Sequence, residues 1–228
     1  MHADSRGDLT ICLTMGLRPA LLGRTLASLK DFHGTRIVAI NDFGDSESNQ
    51  VLLGHFPEAI IVPTTKKLGH HAAIDAVYRT VQTPYILHLE DDWVFSRTDF
   101  IESAVNLLES LPRANQVCLR DVADIHGFGE CILNSATPIG HGALHLCKAH
   151  SQWFGHTFNP HVILRQRWLE LGGYTRFAKE RHISRYLRNR GEFTAYFVDG
   201  ACRHVGGNDS VATPPAGRWK KLWRRLYG

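Results

Sequence analysis

The chain has 228 residues, 43% hydrophobic and 21% charged, with 20 Gly and 9 Pro, an ordinary globular mixture large enough for one core, which excludes disorder, collagen and a coiled coil. Five of its 26 Lys and Arg lie in the last eleven residues, where there is no acid, so the body before them carries 21 bases against 22 acids. The pI of about 8.9 is therefore largely the work of a tail, which disfavours a uniformly basic, nucleic-acid-binding domain.

Leu9–Thr14 (LTICLT) predicts a short buried strand, and Pro19 stands near the start of a helix that places Leu22, Leu26 and Leu29 on one face. Arg36–Asn41 (RIVAIN) predicts a second strand ending in an Asp/Gly/Ser cluster. A helix through Val51–Leu53 and a short strand at Ile60–Val62 follow. Gly69 leads into a helix with Ala73, Val77 and Thr80 at helical spacing; the strand Tyr85–Leu89 then runs directly into Glu90-Asp91-Asp92. Strands alternating with helices imply βαβ units and a largely parallel sheet. After Asp92 the rhythm changes to a helix (Phe100–Leu111), a strand (Val117–Leu119) and about thirty Gly- and His-rich residues, Asp121 to His150, without a clear period. That stretch reads as irregular and site-forming. Helices around Arg165–Leu171 and Glu180–Asn189 stop at Gly172-Gly173 and Gly191, and Phe193–Val198 predicts a late strand. A Gly/Pro linker, VGGNDSVATPPAG, then leads to the basic tail. Five cysteines, an odd number, suggest a reducing, cytosolic setting rather than a disulfide framework. The polar start, MHADSRGDL, lacks the apolar core of a secretory signal, and no apolar run approaches the ~18 residues that span a bilayer.

In open α/β sheets ligands bind beyond the carboxyl ends of the strands. Glu90, Asp91 and Asp92 stand at such an end, and so does Asp42. Adjacent carboxylates repel unless a cation or solvent relieves them, and oxygen donors at this density suit Mg²⁺ or Mn²⁺ shared with substrate phosphates. A solvated turn after a strand is the plain alternative.

The ordered series LTICLT…RPALLGRTLASL, RIVAINDFGDSES and TTKKLGHHAAIDAVYRTVQTPYILHLEDDWVF resembles the family 2 glycosyltransferases of GT-A fold. WFGHTFNPHVILRQRWLELGGYTRFAKERHISRYL…DGACRHVGG is similar to that family's acceptor half, and the likeness covers roughly residues 9 to 207. It implies an α/β, Rossmann-like, mostly parallel sheet with an irregular acceptor-binding second half. Residues 1–207 would form this domain, its nucleotide half at about 9–95 and its acceptor half at about 96–207, followed by a linker (208–217) and a basic amphipathic segment (218–228). The activity implied is metal-assisted, inverting, hexosyltransferase-type transfer from a nucleotide-diphosphate sugar to a glycan or lipid-linked acceptor.

The resemblance places Thr14, Arg18, Asp42, Lys67, Gly69 and Asp91 around the nucleotide sugar, with Thr14 near the base and Asp42 accepting a hydrogen bond from it. A turn cap is the plain alternative for Asp42. Glu90, Asp92 and His204 would hold the Mn or Mg ion. The metal motif is Glu-Asp-Asp rather than Asp-x-Asp, and the pair after the Gly-Gly turn is Glu180-Arg181, leaving one carboxylate. Glu180 is the candidate base, the alternative being a helix-start acid facing the dipole. The common Asn before Gly69's helix is Lys67, able instead to meet a phosphate. Fourteen histidines raise a zinc reading, which the absence of HExxH or Cys-x-x-Cys disfavours. Trp153, Phe154 and Phe158 are read as core before a sugar platform.

In the tail, Trp219, Leu222, Trp223 and Leu226 share one helical face, with Lys220, Lys221, Arg224 and Arg225 on the rest. That pattern predicts peripheral attachment to an anionic membrane surface, on the cytoplasmic side. Packing on the body is the alternative. Two rival functions remain: a nucleotidyltransferase, which would carry a Gly-rich basic loop after its first strand, and a non-catalytic nucleotide- or glycan-binding domain.

Overall fold

Strands buried on both faces read as unbroken apolar runs, and Leu9–Met15 (β1) and Arg36–Asn41 (β2) are such strands. The computed structural model describes residues 7–125, 132 and 134–207. Ile60–Val62 (β3) and Tyr85–Glu90 (β4) complete a parallel block in the order β3-β2-β1-β4. The same sheet continues through His161–Leu164 (β9), Ala114–Cys118 (β6), Phe193–Phe197 (β10), Ala143–His145 (β8) and Thr137–Gly140 (β7). β9 runs antiparallel to both β4 and β6, β10 is parallel to β6, and β8 and β7 form an antiparallel hairpin on its far side. Trp93–Phe95 (β5) and Cys202–His204 (β11) make a separate two-stranded sheet.

Alternation along β1 decides the two cores. Leu9, Ile11, Leu13 and Met15 pack with Pro19–Ala27 (α1), Ser46–His55 (α2) and Phe100–Ser110 (α4). Cys12 faces the other way, onto His70–Tyr78 (α3), Arg165–Leu171 (α5) and Glu180–Asn189 (α6). Each fully buried Leu or Ile in these layers contributes about 1.5–3 kcal/mol. The sheet is therefore an α/β one, mostly parallel and covered by helices on both faces. No helix among the described residues is long and apolar enough to cross a membrane.

Several elements differ from the reading of the sequence. α3 ends at Tyr78, because Thr80 and Val81 bond back three residues and the Thr80 hydroxyl donates to the Val77 carbonyl at 2.7 Å. β6 begins at Ala114: Asn115 and Gln116 look like loop residues but are buried, with Gln116 Nε2 donating to the Thr157 carbonyl at 2.7 Å. The stretch expected to be irregular contains the β7–β8 hairpin, turned by Gly140, His141 and Gly142 at positive φ. β9 has no counterpart in that reading. Residues 208–217 of the linker and the tail with Trp219, Lys220, Lys221, Trp223, Arg224 and Arg225 lie outside the described residues.

Candidate active site

The order β2-β1-β4 puts a topological switch point at β1, and the carboxyl ends there carry the chemistry. Thr14 stands between Ile40 and Glu90 in the paired register. Beyond β4 the acidic turn is fixed from below. The buried Thr25 hydroxyl of α1 donates to the Asp91 carbonyl at 3.0 Å and accepts from the Trp93 amide at 3.1 Å. From the other side the Val205 amide donates to the Asp92 carbonyl at 2.9 Å.

The carboxylates of this turn are divided. Asp91 accepts from the Gly16 amide at 3.1 Å and from Arg18 Nη2. Asp92 Oδ2 accepts from Arg18 Nη1 at 2.6 Å and lies 3.1 Å from His204 Nε2. Burial pushes Asp91 up to about 6 despite the neighbouring Arg18. For Asp92, burial acts upward but is outweighed by His204 and Arg18, which hold it below the usual value. Gly206 closes over the site: a Cβ there would lie 2.4 Å from Asp92 Oδ2. Glu90 faces His70 Nδ1 at 3.9 Å, and burial, with Asp92, Asp91 and Glu180 nearby, pushes it up to about 8.

Asp92 Oδ1 is buried and has no hydrogen-bond partner, and an orphaned carboxylate oxygen is costly unless a cation meets it. His204 adds an imidazole beside it. Among the described residues no three His, Cys, Asp or Glu side chains converge on one point. One carboxylate and one imidazole, completed by phosphate oxygens, fit the way Mg²⁺ and Mn²⁺ are held. His141 is in the hairpin turn and His145 packs on Phe193.

Glu180 lies near enough to the acidic turn to push the Glu90 pKa up. It is the first residue of α6, and its carboxylate accepts from the Phe158 amide at 3.3 Å and from the Thr157 hydroxyl. It lines a cavity of about 220 Å³ with Arg120, Trp153, His156, Asn159 and Tyr196. Burial raises its pKa to about 7, the two hydrogen bonds opposing the rise. Phe154 and Phe158 are buried, and Phe154 lines the cavity together with Trp153.

Other predicted residues have different partners. Both Asp42 oxygens are engaged by the protein, accepting from the Leu68 amide at 2.6 Å and the Gly69 amide at 2.9 Å, which ties β2 to the loop entering α3. The turn cap belongs to Asn41, whose Oδ1 accepts from Gly44 at 2.9 Å. Lys67 Nζ rests 4.0 Å above the Phe43 ring. Sequence reasoning misses Asp124, whose Oδ2 accepts from Arg120 Nε at 3.2 Å and from the His204 amide at 3.3 Å, joining the cavity to the acidic turn. It also misses the buried rings of His88 and His156, with no hydrogen-bond partner at either nitrogen, which burial holds well below the ordinary pKa. Neither a histidine inside a strand, as His88 is, nor one in a loop, as His156 is, carries a sequence signal of that kind.

A covered, mostly parallel sheet with acids at its switch point defines a glycosyltransferase fold of GT-A type, and solved structures share it. The mannosyltransferase PcManGT from Pyrobaculum calidifontis, in complex with GDP-Man and Mn²⁺, superposes with a TM-score of 0.65 at 14% identity over 96% of this chain. S. aureus TarS 1–349 gives 0.62 at 10% identity over 86%. The chain spans 60% of the length of each. No curated protein sequence matches it. The model of glycosyl transferase family 2 matches residues 10–134, more than half of the chain. The protein belongs to that family.

Proposed function

We propose that the protein transfers a hexosyl group from a nucleotide-diphosphate sugar to a hydroxyl of a glycan or lipid-linked acceptor, with inversion. The observations that carry the reading are the buried unpartnered oxygen of Asp92 and the carboxylate of Glu180, which lines a cavity and lies near enough to the acidic turn to push the Glu90 pKa up. Family membership and the GDP-Man and Mn²⁺ held by PcManGT support the donor class and the metal.

Asp92 and His204 would hold the divalent cation, which when bound supplies the charge that stabilises the leaving diphosphate. Glu180 takes the acceptor's hydroxyl proton on its carboxylate as the oxygen attacks the anomeric carbon. The new carbon–oxygen bond forms on the face opposite the breaking bond to phosphate, so one displacement inverts the centre. The amide of Phe158 and the hydroxyl of Thr157 orient the carboxylate for this step. Arg18, Thr14 and the loop of Lys67 and Gly69 border the nucleotide side.

The tail composition supports a place at the cytoplasmic face of an anionic membrane, where a lipid-linked acceptor would be found. The test is a panel of nucleotide sugars assayed for transfer and hydrolysis with and without Mn²⁺. Mn²⁺-dependent turnover of one donor is expected. Donor binding without turnover would replace the reading with a non-catalytic binding domain, and release of diphosphate from a nucleoside triphosphate with one with a nucleotidyltransferase.

A further inference from the structure

Arg18 is placed with unusual constraint for a residue before a helix. It is the N-cap of α1 and is followed by Pro19. Leu17 before it is held in the left-handed region at φ 61, its amide donating to Asp45 Oδ1 at 2.9 Å. A bulky residue at positive φ is strained and persists where the surroundings fix it. The result is a guanidinium aimed into the acidic turn, one nitrogen on each of two adjacent carboxylates. The oxygen it takes from Asp92, Oδ2, is also the one beside His204, while Oδ1 has no partner. A second cation on the same carboxylate is repelled by the guanidinium, a cost that release of Arg18 removes.

We propose that Arg18 is the resident counter-ion of the metal-binding carboxylate: a divalent cation that binds at Asp92 displaces the guanidinium from it, and the displaced guanidinium pairs with the donor's diphosphate. This rests on the metal site of the preceding section and goes beyond it. The Arg18 side chain is 16% exposed, so part of it reaches the surface. Guanidinium forks suit phosphate oxygens as well as carboxylates. Arg18 therefore opposes the metal alone and favours metal and diphosphate together. Linkage makes that coupling reciprocal: each ligand strengthens the other by the same factor.

The experiment titrates Mn²⁺, alone and with inorganic pyrophosphate, into the full chain and into Arg18→Gln and Asp92→Asn. Affinity is read by calorimetry, and the melting temperature is followed across Mn²⁺ concentrations. Arg18→Gln is expected to bind Mn²⁺ alone about tenfold more tightly than the natural protein, and to lose most of the gain that pyrophosphate confers. Asp92→Asn should bind no Mn²⁺ at this site. Removing the guanidinium takes from two buried, adjacent carboxylates the cation they share, so Arg18→Gln should melt lower without Mn²⁺ and recover more with it than the natural protein does. If Arg18→Gln binds Mn²⁺ equally or more weakly while Asp92→Asn abolishes binding, the exchange is overturned and the metal site stands. Equal affinity in all three proteins overturns both.

Discussion

Glu180 opens α6 at its first position, where an acid commonly does no more than face the helix dipole. Its surroundings give it more to do, because burial lifts its pKa to about 7. A general base must be ionised, so kcat/KM should fall as pH drops through about 7. Glu180→Gln should keep donor affinity, lower turnover about 10²–10⁴-fold and abolish that acid limb; near-normal turnover would move the role elsewhere. The effect on stability has the opposite sign. The folded value lies above the ordinary 4.5, so ionisation opposes folding progressively between those pH values and fully above the upper one. Glu180→Gln should therefore be more stable than the natural protein at pH 8 by up to about 3 kcal/mol, with no difference in acid. Asp92→Asn should remain folded and lose Mn²⁺-dependent affinity for donor; unchanged affinity in calorimetry would remove Asp92 from the site. The acids are legible in the sequence because they follow an apolar strand without a break. Their pairing with Arg18 is not, since it joins residues 73 and 74 positions apart through a sheet order that no local pattern encodes. Asp42 has an equally clear position at a strand end, yet its oxygens hold the entry to α3.

Helix α3 shows how elements from distant parts of the chain are locked together around the site. Asp75, fully buried, accepts from Trp168 Nε1 at 2.7 Å, from the Tyr174 amide at 2.9 Å and from the Thr175 amide at 2.9 Å. The turn that supplies those amides leads to Glu180. Gly173 passes so close that a Cβ would lie 2.9 Å from Asp75 Oδ2, and its φ of +84 excludes most other residues. Asp75→Asn puts an amide donor against N–H groups and should cost about 2–4 kcal/mol in denaturant unfolding; a loss below about 0.5 kcal/mol would mean the turn holds without it. Gly206→Ala tests a different edge. Its Cβ would push on Asp92 rather than on the core, so Mn²⁺-dependent binding should weaken while the melting temperature stays within a few degrees. At this scale β1, β2, β3 and β4 are readable to within a residue, because each is an apolar run bounded by turn residues. β9 is not. Its four residues begin with His161, and its place is set by β4 and β6 on either side. The β5–β11 pair is equally hidden, its partners more than a hundred residues apart.

At the scale of the whole molecule, the alternation of strands and helices already implies the covered sheet, and the position of acids at its strand ends implies the edge where ligands bind. How the tail relates to that edge comes from β11. His204 meets Asp92, and the Val205 amide bonds the Asp92 carbonyl, so the chain departs toward its basic end from the rim of the crevice. From Gly207 to Arg218 it can reach at most about 40 Å when fully extended. A surface bound by the tail is thereby kept within that distance of the carboxylates. Five Lys and Arg near an anionic surface are worth about 1 kcal/mol each, and Trp219, Leu222, Trp223 and Leu226 add apolar burial. Reversible attachment without spanning is expected, weakening as salt screens its electrostatic part. Truncation after Gly217 should release the protein from anionic vesicles while leaving donor binding and transfer to a soluble acceptor in place. Transfer to an acceptor embedded in the vesicle should fall, because the tether and not the crevice confers access. Co-sedimentation of the full and truncated chains with anionic and neutral vesicles, at low and high ionic strength, measures this directly. Equal sedimentation of the two forms under every condition would mean that the basic segment packs on the body, and the membrane role would be withdrawn with the glycosyltransferase reading untouched.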